Sequence, residues 1–362
     1  MTKRVLSRLF CIVLTLCLLS SCGGVPTERA AGGVTVTDSL RREVTVPANA
    51  VSICTVCPFT GQMAILLGAG DRITSTVNNV SRSELLCEIC PSIRSASVVK
   101  SGGSINAEEI LRLGTDLIFV NESTYKNDDE KAKLDAIGVP CVVIGFETID
   151  EQFEAVRVIG KALGKEEKAE TYLDRFRAAI DLVDTTLADV TDPPRLYHSV
   201  NEAVRTDEAG SYCAEWISHT KAVNVSTAGG ALRAEGSKAY TTLEQIYAWD
   251  PDLIVCNEPM VDDYILTDSK WQGLRAVTQA RVYQIPVGVT RWGHPNSVET
   301  PLALLWLAQL LYPDRFTFDL DDEIRDFYRT FYDYTLDDAW LAAIKEAYNM
   351  RSPKTKKGGE AA

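Results

Sequence analysis

Apolar positions recur every three to four residues along residues 165–189, at Ala169, Tyr172, Leu173, Phe176, Ala179, Ile180, Val183 and Leu187, which is the spacing of one stripe on a helix. Neither Gly nor Pro interrupts the run, and Gly164 before it and Pro193-Pro194 after it punctuate both ends. Such a helix reaches roughly 35 Å, the width of a small domain. On either side the pattern changes to short buried runs alternating with amphipathic stretches, as in parallel βαβ units. The pattern predicts an α/β protein in which a stiff helical beam joins two Rossmann-like lobes.

An internal repeat supports that reading. Residues 106–122 (NAEEILRLGTDLIFVNE) align without a gap to residues 242–258 (TLEQIYAWDPDLIVCNE). Glu108/Glu244, Ile110/Ile246, Asp116/Asp252, Leu117/Leu253, Ile118/Ile254, Asn121/Asn257 and Glu122/Glu258 are identical. Each copy reads as a short amphipathic helix, a turn and a buried strand ending in Asn-Glu, which is half of a βαβ unit. One copy lies before the beam and one after it.

The remaining pattern fills in the lobes, residues 34–162 and 194–350, with 163–193 as bridging helix and linker. Residues 34–47 (VTVTDSLRREVTVP) alternate around a polar turn and predict a hairpin. A first core strand begins at Val51 and is followed by a helix, and a second strand covers 73–76. Residues 78–104 are polar, rich in Cys and Ser, and show little periodicity, so they read as a long loop, of the kind that is functional or disordered. After the beam, a strand opens at Leu196, a helix lies near 271–277 and a strand at 282–285. The run 301–311 (PLALLWLAQLL) is apolar on nearly every face and predicts a buried helix, with amphipathic closing helices over 320–350.

Before all of this, Lys3, Arg4 and Arg8 precede an apolar run that ends in Leu19-Ser20-Ser21-Cys22. A charged segment and a short apolar run make an export signal over 1–22, too short to span a membrane. Leu-Ser-Ser-Cys resembles a bacterial lipobox, which implies lipidation of Cys22, a flexible tether over 23–33 and a body anchored outside the cell membrane. The tail, 351–362, reads as disordered. The net charge is −13, and cleavage before Cys22 removes three cations and makes it more negative. With no basic patch to neutralise phosphates, nucleic-acid binding is not expected.

The opening TVTDSLRREVTVP, the segments INAEEILRLGTDLIF and TTLEQIYAWDPDLIV, and the late HPNSVETPLALLWLAQLLYPDRF together resemble the class III periplasmic substrate-binding proteins of ABC importers. That type binds ferric siderophores, haem or cobalamin. The resemblance implies two α/β lobes joined by one long helix, a ligand cleft between them and only small closing motions. It implies no intrinsic cofactor, a siderophore-type metal chelate as cargo (with haem, a corrinoid or an oxyanion as alternatives) and a dimeric permease as partner. In the family one glutamate per lobe docks onto permease arginines, and Glu108 and Glu244 match those positions.

Ligands of α/β lobes meet the loops at the carboxyl ends of strands. In those loops Arg205 and Arg291 suit carboxylates or oxyanions. Trp292 and Tyr264 suit stacking, Tyr212, Tyr264 or His294 suits a haem iron, and His294 also suits hydrogen bonding. Only three histidines occur, so a bare-ion site of several His is not expected. Cys54-Thr-Val-Cys57 and Cys87-Glu-Ile-Cys90 depart from the family pattern. Cys54 and Cys57 are expected at the ligand. The four thiols read as disulfides, as free thiols or as a tetrathiolate metal centre. The competing class is an exported thiol oxidoreductase using these pairs; no G-x-S-x-G, H-E-x-x-H or phosphate loop supports other enzyme chemistry.

Overall fold

In the computed structural model, which describes residues 32–229, 232–236 and 238–347, the central stripe forms one unbroken helix, Glu166–Thr186. The export signal with Cys22, nearly all of the tether, and the tail lie outside the described residues. Lys165 and Leu187 flank the helix, which starts one residue after and ends three residues before the expected 165–189. The helix Ile149–Leu163 precedes it, and Gly164 turns the chain between the two at φ +64. A Cβ on Gly160 would sit 2.6 Å from the Ala169 methyl carbon, so glycine lets the two helices pack closely.

The amino-terminal lobe carries a six-stranded sheet in the order Ser104–Ile105, Ser97–Ser101, Ile73–Val77, Ile53–Thr55, Leu117–Asn121, Cys141–Ile144. All neighbours are parallel except the first two. The carboxyl-terminal lobe carries a parallel sheet in the order Val223–Asn224, Arg195–Ser199, Leu253–Cys256, Val282–Gln284. In both sheets the first strand in sequence lies inside, with its successors on either side, as in doubly wound folds. A small antiparallel sheet of Arg205–Thr206, Lys238–Tyr240 and Arg233–Glu235, which the pattern did not signal, sits beside the second lobe's sheet. Gly33–Thr37 and Glu43–Pro47 form the expected hairpin. Its Asp38 accepts the Leu40, Arg42 and Val143 N–H groups and so ties the turn to the sheet.

The repeat has a structural meaning. Asn106 and Thr242 cap the two repeat helices through the N–H groups of Glu109 and Gln245. Asp116 accepts the Val51 and Ser52 N–H groups, and Asp252 accepts that of Arg195, so each aspartate pins the start of its lobe's first strand. The polar stretch 78–104 is ordered: helices Asn78–Ser81 and Glu84–Ile89, a turn of 3₁₀ helix at Pro91–Ser95, then a strand. Elements of four to six residues are too short to show a period, which is why the sequence read as a loop.

One buried apolar cluster runs through both lobes. Tyr172, Leu173 and Phe176 of the bridging helix belong to the same buried cluster as Phe59 of one lobe and Trp216, Leu302 and Phe327 of the other. Thr300–Leu311 is buried as expected, and Leu320–Tyr332 returns to pack on the first lobe's Pro58–Leu66 helix. Polar ties cross as well: Tyr172 donates to the Val298 carbonyl at 3.0 Å, Tyr212 to Gln152 at 2.7 Å, and Glu215 accepts the Ile149 N–H at 2.8 Å.

Truncating Phe176 removes a ring from the centre of this shared core. Phe176→Ala is expected to lower the unfolding free energy by about 3–5 kcal/mol, whereas Arg177→Ala, on the exposed side of the same helix, should change it by less than about 1 kcal/mol. Urea denaturation followed by circular dichroism measures both, and equal effects would show that the helix does not join the lobes through its buried face.

Candidate functional site

The strands of each lobe end at a point where the chain diverges to opposite sides of the sheet, and the two points face a common cleft. On the first lobe, Asn121 ends its strand, and Asn78 and Asn79 follow the strand Ile73–Val77. On the second, Asn257 and Glu258 follow Leu253–Cys256, and the Asn257 side chain accepts the Asn201 N–H at 2.8 Å. The repeat therefore delivers an Asn-Glu pair to the cleft edge of each lobe.

The larger cavity, about 540 Å³, is walled by both lobes: Pro58, Asn79 and Ser83 from one, and Met260, Arg291 and His294 from the other. Its wall is also acidic, with Glu258, Asp262, Asp263 and Glu346. Burial pushes the Asp262 carboxyl above its usual range. Arg291 donates to both Glu258 and Asn201, so part of its charge is balanced within the protein. The Nδ1 of His294 accepts the Asn296 N–H at 3.1 Å.

A second recess of about 300 Å³ opens from the first and shares Pro58, Asn79 and Asn296 with it. Its chemistry is different. Asn78, Asn79, Asn121, Asn296 and Lys100 line it, and no carboxylate does. Lys100 reaches across to Asn121 and Thr124, and burial holds its ammonium below the usual lysine range. Cys57 also lines this recess, with its thiol pushed up by burial.

Several expected ligand contacts lie elsewhere. Trp292 is fully buried, because its neighbour Gly293 turns the loop inward at φ +68 against Trp216. Tyr212 is buried between the lobes, where its hydroxyl serves Gln152 and meets Thr300. Cys54 lies mid-strand, buried in the core and lining neither cavity, and burial pushes its thiol up to about 12. Arg205 sits in the small antiparallel sheet and lines neither cavity; Tyr264 is exposed on the Val261–Thr267 helix and also lines neither. Of the expected contacts, Arg291, His294 and Cys57 reach the cleft. The asparagines and Lys100 were missed because single amides carry no spacing signature.

The cysteine quartet does not assemble. Cys54, Cys57, Cys87 and Cys90 are free thiols with separate partners: Cys57 meets Thr60, Cys87 donates to the Ser81 carbonyl, and Cys90 meets Ser92. Strand alternation sends Cys54 into one core cluster while Cys57, Cys87 and Cys90 belong to another. The tetrathiolate and disulfide readings therefore give way to free, largely buried thiols.

Beneath the cleft loop Glu299 is fully buried, accepting Tyr328 at 2.5 Å and the Thr290 N–H at 3.1 Å. A Cβ on Gly288 would lie 1.9 Å from its carboxylate oxygen, so only glycine fits there.

A family model described as periplasmic binding protein matches residues 55–287. The chain belongs to that family, and its fold is the class III fold of ABC-importer substrate-binding proteins. The molybdate-binding protein MolA of Haemophilus influenzae is 26% identical over 88% of this chain and 95% of its own length. The solved structure of MolA bound to molybdate has a TM-score of 0.74 at 24% identity, covering 84% of this chain and 99% of that one. A periplasmic solute-binding protein of Veillonella parvula has a TM-score of 0.76 at 26% identity over 87% of this chain and 97% of its own. The Bacillus subtilis protein YvrC, named an uncharacterized ABC transporter substrate-binding lipoprotein, is 24% identical over 84% of this chain and 96% of its length. Among the described residues no helix is long and apolar enough to cross a membrane.

Burial raises the Glu299 carboxyl to about 7, and the bonds from Tyr328 and Thr290 only partly oppose it. The folded chain therefore keeps this proton up to about 7, while the unfolded chain loses it near 4.5. Between those values the folded state binds more protons, so this group's contribution to stability is full below about 4.5 and is lost as pH rises through about 7. The loss is at most about 3 kcal/mol. Glu299→Gln should flatten this part of the stability profile, measured as urea midpoints from pH 4 to 8; parallel profiles in the two proteins would place the proton elsewhere.

Proposed function

We propose that this protein delivers an anionic cargo to an ABC importer, and that the cargo is a small metal oxyanion of the molybdate class. One observation carries the reading: in a chain of net charge −13, the recess at the strand ends gathers four asparagines and one lysine and no carboxylate. Amide N–H groups and an ammonium replace the hydration of a desolvated oxyanion by direct hydrogen bonds, and charge-assisted bonds are the strong ones. That MolA is molybdate-binding supports the same cargo class.

A siderophore-type chelate is the second reading, favoured by the adjoining cavity. At about 540 Å³ it exceeds what one tetrahedral oxyanion fills, and Arg291, His294 and Met260 would meet a larger complex there. The lipobox reading of Cys22 gives the anchor for either cargo, and a protein of this kind needs no chemistry of its own beyond binding.

Delivery is the work of Glu108 and Glu244. Each is the second residue of its helix, exposed, and not the cap, since Asn106 and Thr242 perform that role. Paired carboxylates at matched positions of the two lobes suit basic sockets on a dimeric permease, where rim charges set register and association rate.

Calorimetric titration with molybdate, tungstate, sulfate and ferric hydroxamate or catecholate chelates separates the two cargo readings. Lys100→Met should weaken an oxyanion by about 1.5–3 kcal/mol, roughly ten- to hundredfold in Kd. Tight binding of ferric chelates with none of the oxyanions would overturn the first reading. For docking, the double variant Glu108→Lys/Glu244→Lys should bind cargo as the parent does and fail to support uptake in reconstituted vesicles; normal uptake would reduce both glutamates to helix-end charges.

A further inference from the structure

Behind the cleft loop, and outside both cavities, three groups converge that the binding function does not use. His198 lies on the strand Arg195–Ser199, Asp207 follows the strand Arg205–Thr206, and Cys213 lies on the helix Tyr212–His219. One ligand atom from each lies within 4.8 Å of the others, and all three side chains are buried. Among the described residues this is the only group of three or more His, Cys, Asp or Glu whose ligand atoms meet in this way.

A buried His–Asp hydrogen bond by itself is an ordinary core feature, and His198 Nδ1 does meet Asp207 at 2.7 Å. What that pairing leaves unexplained is the other nitrogen. His198 is 1% exposed, and its Nε2 has no hydrogen-bond partner among the described residues. Buried polar atoms are nearly always satisfied, so the unmet nitrogen of this imidazole is a second sign of a missing partner in the cluster. The surroundings also resemble a metal site's supporting shell: the Asn224 amide donates to Asp207 at 3.0 Å, and Ser226 donates to the Asp207 carbonyl at 3.1 Å.

We propose that His198, Asp207 and Cys213 bind one divalent ion of the thiolate-seeking class, zinc on the character of the donors. Imidazole, carboxylate and thiolate are the ordinary zinc donor types. Binding forms a sulfur–metal bond as the Cys213 S–H bond breaks, and the thiol proton passes to solvent. Thiolate and carboxylate together then balance the ion's two positive charges. Because binding releases the thiol proton, affinity rises with pH.

The consequence reaches the cargo site. Cys213 meets the Gly293 carbonyl at 3.5 Å, and Trp216, one helical turn on, donates to the same carbonyl at 2.9 Å. Gly293 lies between Arg291 and His294, both on the cavity wall. An ion on Cys213 therefore sits one contact away from the loop that carries those two side chains, and fixes the base on which it rests.

Cobalt(II) tests the site directly, because a cobalt–thiolate bond gives a near-ultraviolet charge-transfer band that carboxylate or histidine binding alone does not. The purified full chain is expected to take up about one equivalent with that band, and zinc should displace it. The band should persist in the quadruple variant Cys54→Ser/Cys57→Ser/Cys87→Ser/Cys90→Ser and disappear in Cys213→Ser. His198→Gln, checked for folding by circular dichroism, should weaken uptake at least about tenfold. The proposal is overturned if the parent protein shows no thiolate band at stoichiometric cobalt, or if the band survives in Cys213→Ser. Absence of the band in the parent overturns the proposal even if a variant fails to fold.

Discussion

The burial of one face of the Glu166–Thr186 helix is the constraint from which the rest of the molecule follows. Its Tyr172, Leu173 and Phe176 have no solvent-facing alternative, so they draw elements of both lobes onto one core. A conventional hinge separates two cores by a flexible strand or loop. Here the connection is a helix whose aromatic residues are packed edge to face, Tyr172 against Phe331 at 5.7 Å and Phe153 against Phe176 at 5.2 Å. Opening the cleft widely would expose that shared apolar surface, which costs about 25 cal/mol per Å². The lobes are thus held near one separation, and the cleft is largely formed before cargo arrives.

Rigidity shifts the burden of selectivity from closure to wall chemistry. The cleft has two chemically unlike halves that meet at Asn79 and Asn296. In the smaller recess, amides and Lys100 present polar groups. In the larger cavity, Glu258, Asp262 and Asp263 share the wall with Arg291, whose guanidinium is paired with Glu258. The recess is thus the part of the cleft wall that carries an ammonium and no carboxylate. The internal repeat supplies this plan at low cost in sequence, since the same Asp–Leu–Ile…Asn–Glu string pins the start of its lobe's first strand and presents polar groups at the end of its own strand.

The fold was legible because its determinants are periodic or repeated. The stripe from Ala169 to Leu187, the hairpin alternation and the apolar Thr300–Leu311 helix each leave a pattern longer than a single turn. The site was less legible. Trp292 and Tyr212 have the composition of ligand-stacking residues, but whether a loop side chain turns in or out is set by backbone conformation, here by Gly293 at φ +68. Cys54 and Cys57 look like a motif in one dimension, yet on a strand followed by a helix they point into different clusters. Conversely, Lys100, Asn78 and Asn296 come from three separate elements and carry no mutual spacing, so only the folded chain brings them together. Glu299 could not be recognised as a buried acid from sequence, because its burial depends on the glycine at 288 and the tyrosine at 328.

Preformed clefts gain affinity by avoiding reorganisation, and that advantage requires each wall to be fixed from behind. The loop from Gly288 to His294 is the most demanding wall, since it has no strand of its own. It is held at one end by Glu299, which takes the Thr290 N–H and the Tyr328 hydroxyl. At the other end it is held by Trp216 and Cys213, which converge on the Gly293 carbonyl. Both anchors are buried polar groups in an apolar setting, where a lost partner is expensive. One is a carboxyl raised towards neutral pH, and the other adjoins the His198–Asp207–Cys213 cluster. The position of this wall therefore rests on buried polar groups that line neither cavity.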